Sequence, residues 1–133
     1  MERAWRAARI HPQEIDYINA HGSATPLNDP IETMAIKRVF GAAARRASVS
    51  ATKPVTGHLM GASGAVETVI CALALHHQEM PPTINLVNPD PACDLDYVAG
   101  SARPYPIRAA MNLHAGFGGR YACLVLRRYP DEP

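Results

Sequence analysis

The chain has 133 residues, a hydrophobic fraction of 47%, and 13 basic against 12 acidic side chains, which give a formal net charge of +1. A chain of this length and apolar content suits one compact domain and excludes an intrinsically disordered protein. The near-balanced charge excludes the broad positive field that attracts nucleic acid or an anionic membrane surface, so we expect no nucleic acid and no membrane as partners.

Two short elements are predicted in the first 20 residues. Residues 1–9 are rich in alanine and arginine and favour a helix, which ends at His11-Pro12 because proline disfavours helix in the residue before it. Residues 15–20 alternate apolar and polar side chains, which predicts a strand. That strand delivers His21 at its carboxyl end.

A helix, a strand and a longer helix are predicted next. Asn28-Asp29-Pro30 is typical of a helix start, and Gly41 ends this helix; its apolar positions are Ile31, Met34, Ala35 and Val39. Residues 47–51 are small and predict a buried strand. Residues 61–78 predict a buried helix with a broad apolar surface, formed by Val66, Val69, Ile70, Leu73, Ala74 and Leu75.

The last part of the chain predicts a loop and paired strands. Prolines break the helix of residues 61–78 at residues 80–83 and mark a loop at 88–91. Two strands, residues 108–113 and 121–126, flank a glycine-rich segment. This order of elements predicts an α/β fold with helices packed on a mixed sheet. Because ligands of such sheets bind beyond the carboxyl ends of strands, His21 lies at a candidate site.

The sequence carries the signals of a cytoplasmic protein. No apolar run approaches the roughly 20 residues of a membrane span, and the N-terminus has no signal-peptide pattern. Cys71, Cys93 and Cys123 are odd in number and lack the spacing of a metal site or a disulfide framework. We therefore expect reduced thiols, no metal and a cytoplasmic location.

Three segments join titratable or glycine-rich residues to a predicted element end: residues 19–26, 52–64 and 115–119. One histidine after a strand is more often structural than catalytic. A second histidine, His58, precedes a glycine-rich helix start and changes this balance. Two imidazoles that face one pocket can donate hydrogen bonds to an oxygen that gains negative charge, as in an enolate or a tetrahedral oxyanion. The residues therefore favour acyl chemistry.

These segments resemble the C-terminal half of β-ketoacyl synthases, the condensing enzymes of fatty-acid and type II polyketide synthesis. The resemblance runs over nearly the whole chain and includes residues 15–22, Lys53 with Gly57-His58, Glu67, residues 81–86, residues 93–98 and the terminal glycine loop. It implies one domain over residues 1–133 with a thiolase-like α/β fold, C-terminal half only, as an incomplete module. It also implies that a strand central to the sheet is missing.

In this family an acyl chain moves from acyl carrier protein to an active-site cysteine, and malonyl-carrier then loses carbon dioxide and attacks the acyl thioester. The resemblance assigns His21 and His58 to the malonyl thioester carbonyl, where they would stabilise the enolate. It makes Lys53 the active-site lysine and Glu67 its supporting partner. This pair would orient His58 and set the local charge.

The resemblance also implies how the carrier arm binds, through Ser23, Thr25, Phe117 and Gly118. Fatty-acid synthases of this family usually read Asn-Ser-Phe-Gly-Phe-Gly-Gly-Thr-Asn, whereas residues 113–121 read Leu-His-Ala-Gly-Phe-Gly-Gly-Arg-Tyr. Ala115 thus replaces a gating phenylalanine, and this form is similar to the ketosynthases of type II polyketide systems. His114 either approaches the active-site loop or faces away from it.

None of the three cysteines follows the serine-rich turn that carries the family's nucleophile, so the resemblance implies that the N-terminal half is lacking and that the chain alone is inactive. The implied partners are acyl carrier protein, the N-terminal ketosynthase half, and either a second copy in a homodimer or the other subunit of a ketosynthase/chain-length-factor heterodimer. No cofactor is expected, since phosphopantetheine arrives on the carrier.

Two alternatives stay open: a non-condensing subunit like a chain-length factor, and an inactive truncated fragment. The residue encoded in the upstream cysteine turn distinguishes the first of these from a ketosynthase. In either case we expect the isolated chain to expose apolar strand edges and to associate, to misfold or to need the absent half.

Overall fold

The computed structural model describes residues 1–129, so the end of the predicted domain, residues 130–133, lies outside the described part. In chain order, its helices and strands are α1 (Glu2–Ala7), β1 (Tyr17–Asn19), α2 (Asn28–Phe40), β2 (Ser48–Ser50), α3 (Lys53–Thr56), α4 (Ser63–His77), β3 (Glu79–Met80), β4 (Arg103–Pro104), β5 (Ala109–Gly116) and β6 (Arg120–Arg127). The predicted helices and main strands are confirmed, with shorter bounds for the first two strands.

Four strands form one mixed sheet in the order β2-β1-β5-β6. The first three run parallel, and β6 returns antiparallel to β5 through the glycine-rich hairpin. The expectation that a central strand is missing is wrong, because β1 pairs directly with β5 from Tyr17↔Ala110 to Asn19↔Asn112. Neighbouring strands lie about 4.8 Å apart, so a paired ladder leaves no room for a strand between them.

The sheet separates two hydrophobic cores. Successive strand residues point to opposite faces, so Ile18 and Tyr17 belong to different cores. Ile18 packs with α2 residues Ile36 and Phe40 on one face. Tyr17 packs with Cys71, Ala74 and Leu75 of α4 on the other face. Helices cover both faces, which confirms the predicted α/β architecture.

The buried face of each long helix differs from the apolar face that the sequence indicates. In α2 the buried residues are Thr33, Ile36 and Phe40, whereas Ile31 is 54% exposed. In α4 the buried stripe is Ser63, Glu67, Cys71, Ala74 and Leu75, whereas Val69 is 58% exposed. Both helices carry more than one apolar stripe, and in each the buried stripe includes a polar residue, Thr33 in α2 and Glu67 in α4. Large apolar side chains are consequently left on the surface.

Strand β6 forms one edge of the sheet. It pairs with β5 over its whole length, and its outer edge pairs with no strand among residues 1–129. Tyr121 and Leu124 on this strand are exposed. The structure therefore contains the exposed apolar strand edge that the sequence predicts. Within residues 1–129, no helix combines the length and apolar character needed to cross a membrane.

Candidate active site

The carboxyl ends of the three parallel strands bring the candidate residues together. His21 follows β1, Lys53 starts the short helix after β2, and His114 lies near the end of β5. Parallel strands end at the same edge of a sheet, and ligands bind there in α/β folds. Side chains that are far apart in sequence therefore meet at this edge.

Three imidazoles form a cluster. The ring centroids of His21 and His58 are 5.5 Å apart, and those of His21 and His114 are 5.0 Å apart, both in edge-to-face geometry. The His58 and His114 centroids are 6.5 Å apart. The two histidines singled out from the sequence thus converge, and His114 joins them. His114 therefore approaches the site and does not face away from it, as its place near the carboxyl end of β5 indicates.

A buried ion pair lies beneath the imidazoles. The side chains of Lys53 and Glu67 are 6% and 2% exposed. Lys53 Nζ donates to Glu67 Oε1 and to the backbone oxygen of His21. The pair therefore joins the loop after β1, helix α3 and helix α4. Glu67 contacts His114 through its second oxygen, with Nδ1 at 3.3 Å from Oε2.

His21 is a neutral imidazole near neutral pH. Its pKa is lowered to about 4, first by burial and then by the charges of Lys53, His114 and His58, in that order. The side chain is buried, yet it lines a cavity. Its Nδ1 is sealed from solvent without a hydrogen-bond partner in the described chain. The ring can therefore present only its Nε2 edge to a ligand.

The backbone fixes the proton of His58. The amide of Met60 donates to His58 Nδ1 at 3.1 Å, so this nitrogen is an acceptor and the proton of the neutral ring sits on Nε2. Ser63 Oγ lies 3.1 Å from the same nitrogen. His58 is exposed, in contrast to His21. Its N–H is consequently available to a bound molecule.

Glu32, which sequence reasoning missed, holds the loop that carries His21. Its two carboxylate oxygens accept the backbone N–H groups of His21 at 2.7 Å and Gly22 at 3.0 Å. Burial raises the pKa of this carboxyl group. Gly22 has φ +44°, and a Cβ there would lie 2.3 Å from Cβ of Ala51. The signal in the sequence is an acidic residue in the helix that directly follows a His-Gly loop.

The predicted carrier-arm residues are not part of the imidazole cluster. Ser23 Oγ lies 3.2 Å from Thr25 Oγ1, which accepts the backbone N–H of Asn28 at the start of α2. Thr25 lines a cavity of about 380 Å³ beside α2. Phe117 is 90% exposed at the hairpin tip, and Gly118 adopts φ +71° there. The structure thus gives Thr25 a capping role and places the hairpin pair at the surface.

A second cavity, of about 310 Å³, opens beside the imidazoles. His21 and His114 form one wall, and Ile31 of α2 and Tyr121 of β6 contribute apolar surface. Ala115 also lines it, at the position where the resemblance expects a gating phenylalanine. A methyl group there leaves more open space than an aromatic ring would. The cavity therefore combines polar imidazole edges with an apolar wall, as small-molecule sites do, and His58 lies outside its lining.

Two of the cysteines, Cys71 and Cys123, are packed thiols that are not activated. Burial raises the pKa of Cys71 to about 12, with Glu67 as a second cause, and burial also raises the pKa of Cys123. A thiolate is the reactive form, so both are packed thiols at neutral pH. Within residues 1–129, no group of three His, Cys, Asp or Glu residues is arranged to hold a metal ion. The chemistry available here is hydrogen-bond donation from neutral imidazoles.

Comparison with protein families and curated proteins gives consistent matches. The family described as "Beta-ketoacyl synthase, C-terminal domain" matches residues 1–87. A 3-oxoacyl-acyl-carrier-protein synthase 2 of Coxiella burnetii is 51% identical over 131 residues, which are 98% of this chain and 32% of that protein. The protein of the same name from Synechocystis sp. is 46% identical, over 95% of this chain and 31% of its own length. The chain thus spans about a third of these relatives.

Solved structures show the same similarity in three dimensions. A type II PKS acyl-carrier protein in complex with its ketosynthase bound to the hexaketide (AntDE:AntF) includes a chain that superposes with TM-score 0.93 and 41% identity, over 96% of this chain and 31% of that one. The ishigamide ketosynthase/chain length factor superposes with TM-score 0.91 and 38% identity, over 96% and 31%. These likenesses confirm the predicted fold, in which this chain corresponds to a part of a larger protein.

Proposed function

The chain belongs to the β-ketoacyl synthase family, and from that premise we propose that it is the C-terminal catalytic half of a decarboxylating β-ketoacyl-carrier synthase. The observation that supports this role is the convergence of His21 and His58, with ring centroids 5.5 Å apart, at the carboxyl end of a parallel sheet. Two N–H donors so close together suit a single oxygen that becomes negatively charged.

In the proposed reaction His21 and His58 hold the carbonyl oxygen of a malonyl thioester. The carbon–carbon bond to the malonyl carboxylate breaks and carbon dioxide leaves. The electron pair of that bond forms an enolate, whose oxygen accepts hydrogen bonds from the N–H groups of the two histidines. The enolate carbon then attacks an acyl thioester, and the sulfur of the nucleophile leaves as a thiolate. Hydrogen bonds that become stronger as negative charge develops on this oxygen accelerate the decarboxylation.

Lys53 keeps His21 in the state that this role needs. Its charge is the second cause, after burial, of the low pKa of His21. A neutral imidazole donates a hydrogen bond without a full positive charge, so it stabilises the enolate oxygen and does not readily protonate the carbanion. Glu67 balances the lysine charge in the buried interior. The pair thus sets the charge without contacting the substrate.

The nucleophile in this proposal comes from outside the 133 residues. Cys71 is buried with a pKa of about 12, and none of the three cysteines lies in a turn that leads into a helix start of the site. The proposed partners are therefore a nucleophile-bearing ketosynthase half, acyl carrier protein, and a second ketosynthase or chain-length-factor subunit. Similarity to a ketosynthase in complex with its acyl-carrier protein and to a ketosynthase/chain length factor supports these classes. All three cysteines are free thiols, which supports the cytoplasm as the place of action.

We propose no cofactor of the chain itself, because phosphopantetheine would arrive on the carrier. Ser23 and Thr25 remain candidates for contact with that arm, since Ser23 is half-buried and Thr25 exposed, shortly after His21 in the chain. Phe117 and Gly118 are candidates as well, on the hairpin tip.

A loading assay with radiolabelled acyl-carrier tests the proposal. The chain joined to its nucleophile-bearing segment should accept label and form a β-ketoacyl product, whereas the 133-residue chain alone should accept none. A subunit like a chain-length factor would accept no label in either form. Label on the isolated chain would mean that one of its own cysteines is the nucleophile.

A further inference from the structure

His114 occupies a position that the proposed function does not use. The resemblance expects a serine there, and this chain has an imidazole whose side chain is 19% exposed. We propose that His114 is a positioning residue: it donates from Nδ1 to Glu67 and fixes the His21 ring by edge-to-face packing. The structural part of this inference stands on contacts alone, and only its kinetic consequence rests on the proposed function.

Glu67 determines which nitrogen of His114 carries the proton. Oε1 of this buried carboxylate is occupied by the Lys53 ammonium, and Oε2 faces His114 Nδ1 at 3.3 Å. An ionised carboxylate accepts hydrogen bonds and cannot donate them, so the facing nitrogen must carry the hydrogen. The neutral His114 ring is therefore the Nδ1–H form. His58 is the opposite form, because its Nδ1 accepts from Met60.

His21 depends on packing for its orientation. His58 is held through its Nδ1, but the corresponding nitrogen of His21 has no hydrogen-bond partner in the described part of the chain. The nearest ring is His114, with centroids 5.0 Å apart and an interplanar angle of 84°. A contact of this kind restricts rotation about the side-chain bonds of His21. His114 thus supplies the constraint that His58 obtains from the backbone.

Helix α4 supports His114 from the other side. Glu67 of α4 lies 3.3 Å from His114 Nδ1, and a Cβ added at Gly64 would lie 3.5 Å from Cγ of His114, so the ring lies close to the α4 backbone. The ring therefore lies between α4 and His21, with Glu67 at its Nδ1. A serine in this place is too short to reach Glu67 and His21 together. The histidine consequently does two tasks that the expected residue cannot.

Long-range proton–nitrogen NMR of histidine-labelled protein tests the inference directly. The sample is the 133-residue chain or, if that associates, the complete synthase with label in this region. His114 should be protonated on Nδ1 and His58 on Nε2. Protonation of neutral His114 on Nε2 would overturn the assignment.

Substitutions separate the two tasks in the complete synthase. H114F keeps a ring and loses the donor, H114N keeps a donor and loses the ring, and H114S has no ring and a hydroxyl that is too short to reach Glu67. H114S should lower kcat for malonyl decarboxylation by about tenfold or more with KM little changed, as expected when a reacting group is misplaced. H114F and H114N should each retain more activity than H114S.

An exposed residue at the end of α4 supplies the control, since H77S should leave kcat and KM unchanged. A kcat for H114S equal to that of the parent would overturn the positioning role. If the parent itself released no carbon dioxide, the proposed function would fail, while the NMR result would still decide the His114 assignment.

Discussion

Replacing Lys53 by methionine tests the buried ion pair that joins three elements of the site. The ammonium donates to Glu67 Oε1 and to the backbone oxygen of His21, with both side chains nearly inaccessible to solvent. Methionine has a similar length and carries no charge. In the variant, the Glu67 carboxylate loses the lysine ammonium and retains the contact with His114 Nδ1, at 3.3 Å.

The expected loss follows from the charge that remains buried. Removing one partner of a buried ion pair costs about 3–5 kcal/mol of unfolding free energy, because the other charge stays in a poorly solvated environment. The double variant K53M/E67L removes both charges, so it should be less destabilised than K53M alone. This order of stabilities is specific to a buried pair.

Urea unfolding of the parent, K53M, K53M/E67L and a matched control measures these differences. K37M makes the same substitution in a half-exposed pair, in which Lys37 Nζ lies 2.7 Å from Asp94 Oδ1, and it should change the midpoint little. A shift for K53M no larger than that for K37M would refute the reasoning. So would a double variant less stable than K53M.

Three further predictions concern the loop, the imidazole and the sheet edge. Gly22→Ala should cost about 2 kcal/mol or more, because its φ is +44° and the new Cβ would meet Ala51. Gly118→Ala, with φ +71°, ψ +23° and no atom within 4 Å of a Cβ built there, should cost only about 1 kcal/mol, and equal losses in urea unfolding would contradict the contact. The pKa of His21 falls from 6.5 unfolded to about 4 folded, so the folded state binds fewer protons and loses stability as pH falls from 6.5 towards 4, by about 1 kcal/mol at pH 5.5. Urea unfolding at pH 7.5 and 5.5 should show this loss in the parent and a smaller one in His21→Gln. The exposed edge of β6 should make the isolated chain associate, and Leu124→Lys should reduce this in sedimentation experiments; a parent that stays monomeric and folds cooperatively would contradict it.

The order of elements could be predicted from the sequence because each has a strong local signal. Alternation over residues 15–20 gives β1, and the small residues 47–51 give β2, which is buried throughout. The hairpin follows from the glycine-rich segment between two apolar runs. Local patterns of this kind depend on side-chain direction within one element. Such patterns can therefore be interpreted without knowing which other elements pack against the helix or strand.

The packing of those elements could not be predicted in the same way. Ile31 and Val69 lie on apolar stripes, yet Thr33 and Glu67 face the sheet. A helix with two apolar stripes satisfies either packing, and the choice depends on the surface it meets. The direct pairing of β1 with β5 is likewise a long-range property. It shows that the expected absence of a central strand between them is wrong.

The residues of the candidate site that belong to a sequence motif could be predicted. Those whose role depends only on three-dimensional contacts could not. His21, His58, Lys53 and Glu67 come together as the sequence suggests. Glu32 acts through carboxylate contacts to two backbone amides, and an acidic residue in an early helical turn has other common explanations. The orientation of His114 depends on the register of β5, which one strand alone does not determine.

Carbon dioxide release by the complete synthase tests most directly whether His21 and His58 bind the same substrate oxygen. His21→Ala and His58→Ala should each lower malonyl decarboxylation by about 100-fold or more, while acyl loading of the nucleophile changes far less, because each donor acts on the enolate oxygen. Decarboxylation and loading reduced to the same small extent in both variants would contradict the convergence of these two imidazoles on one substrate oxygen.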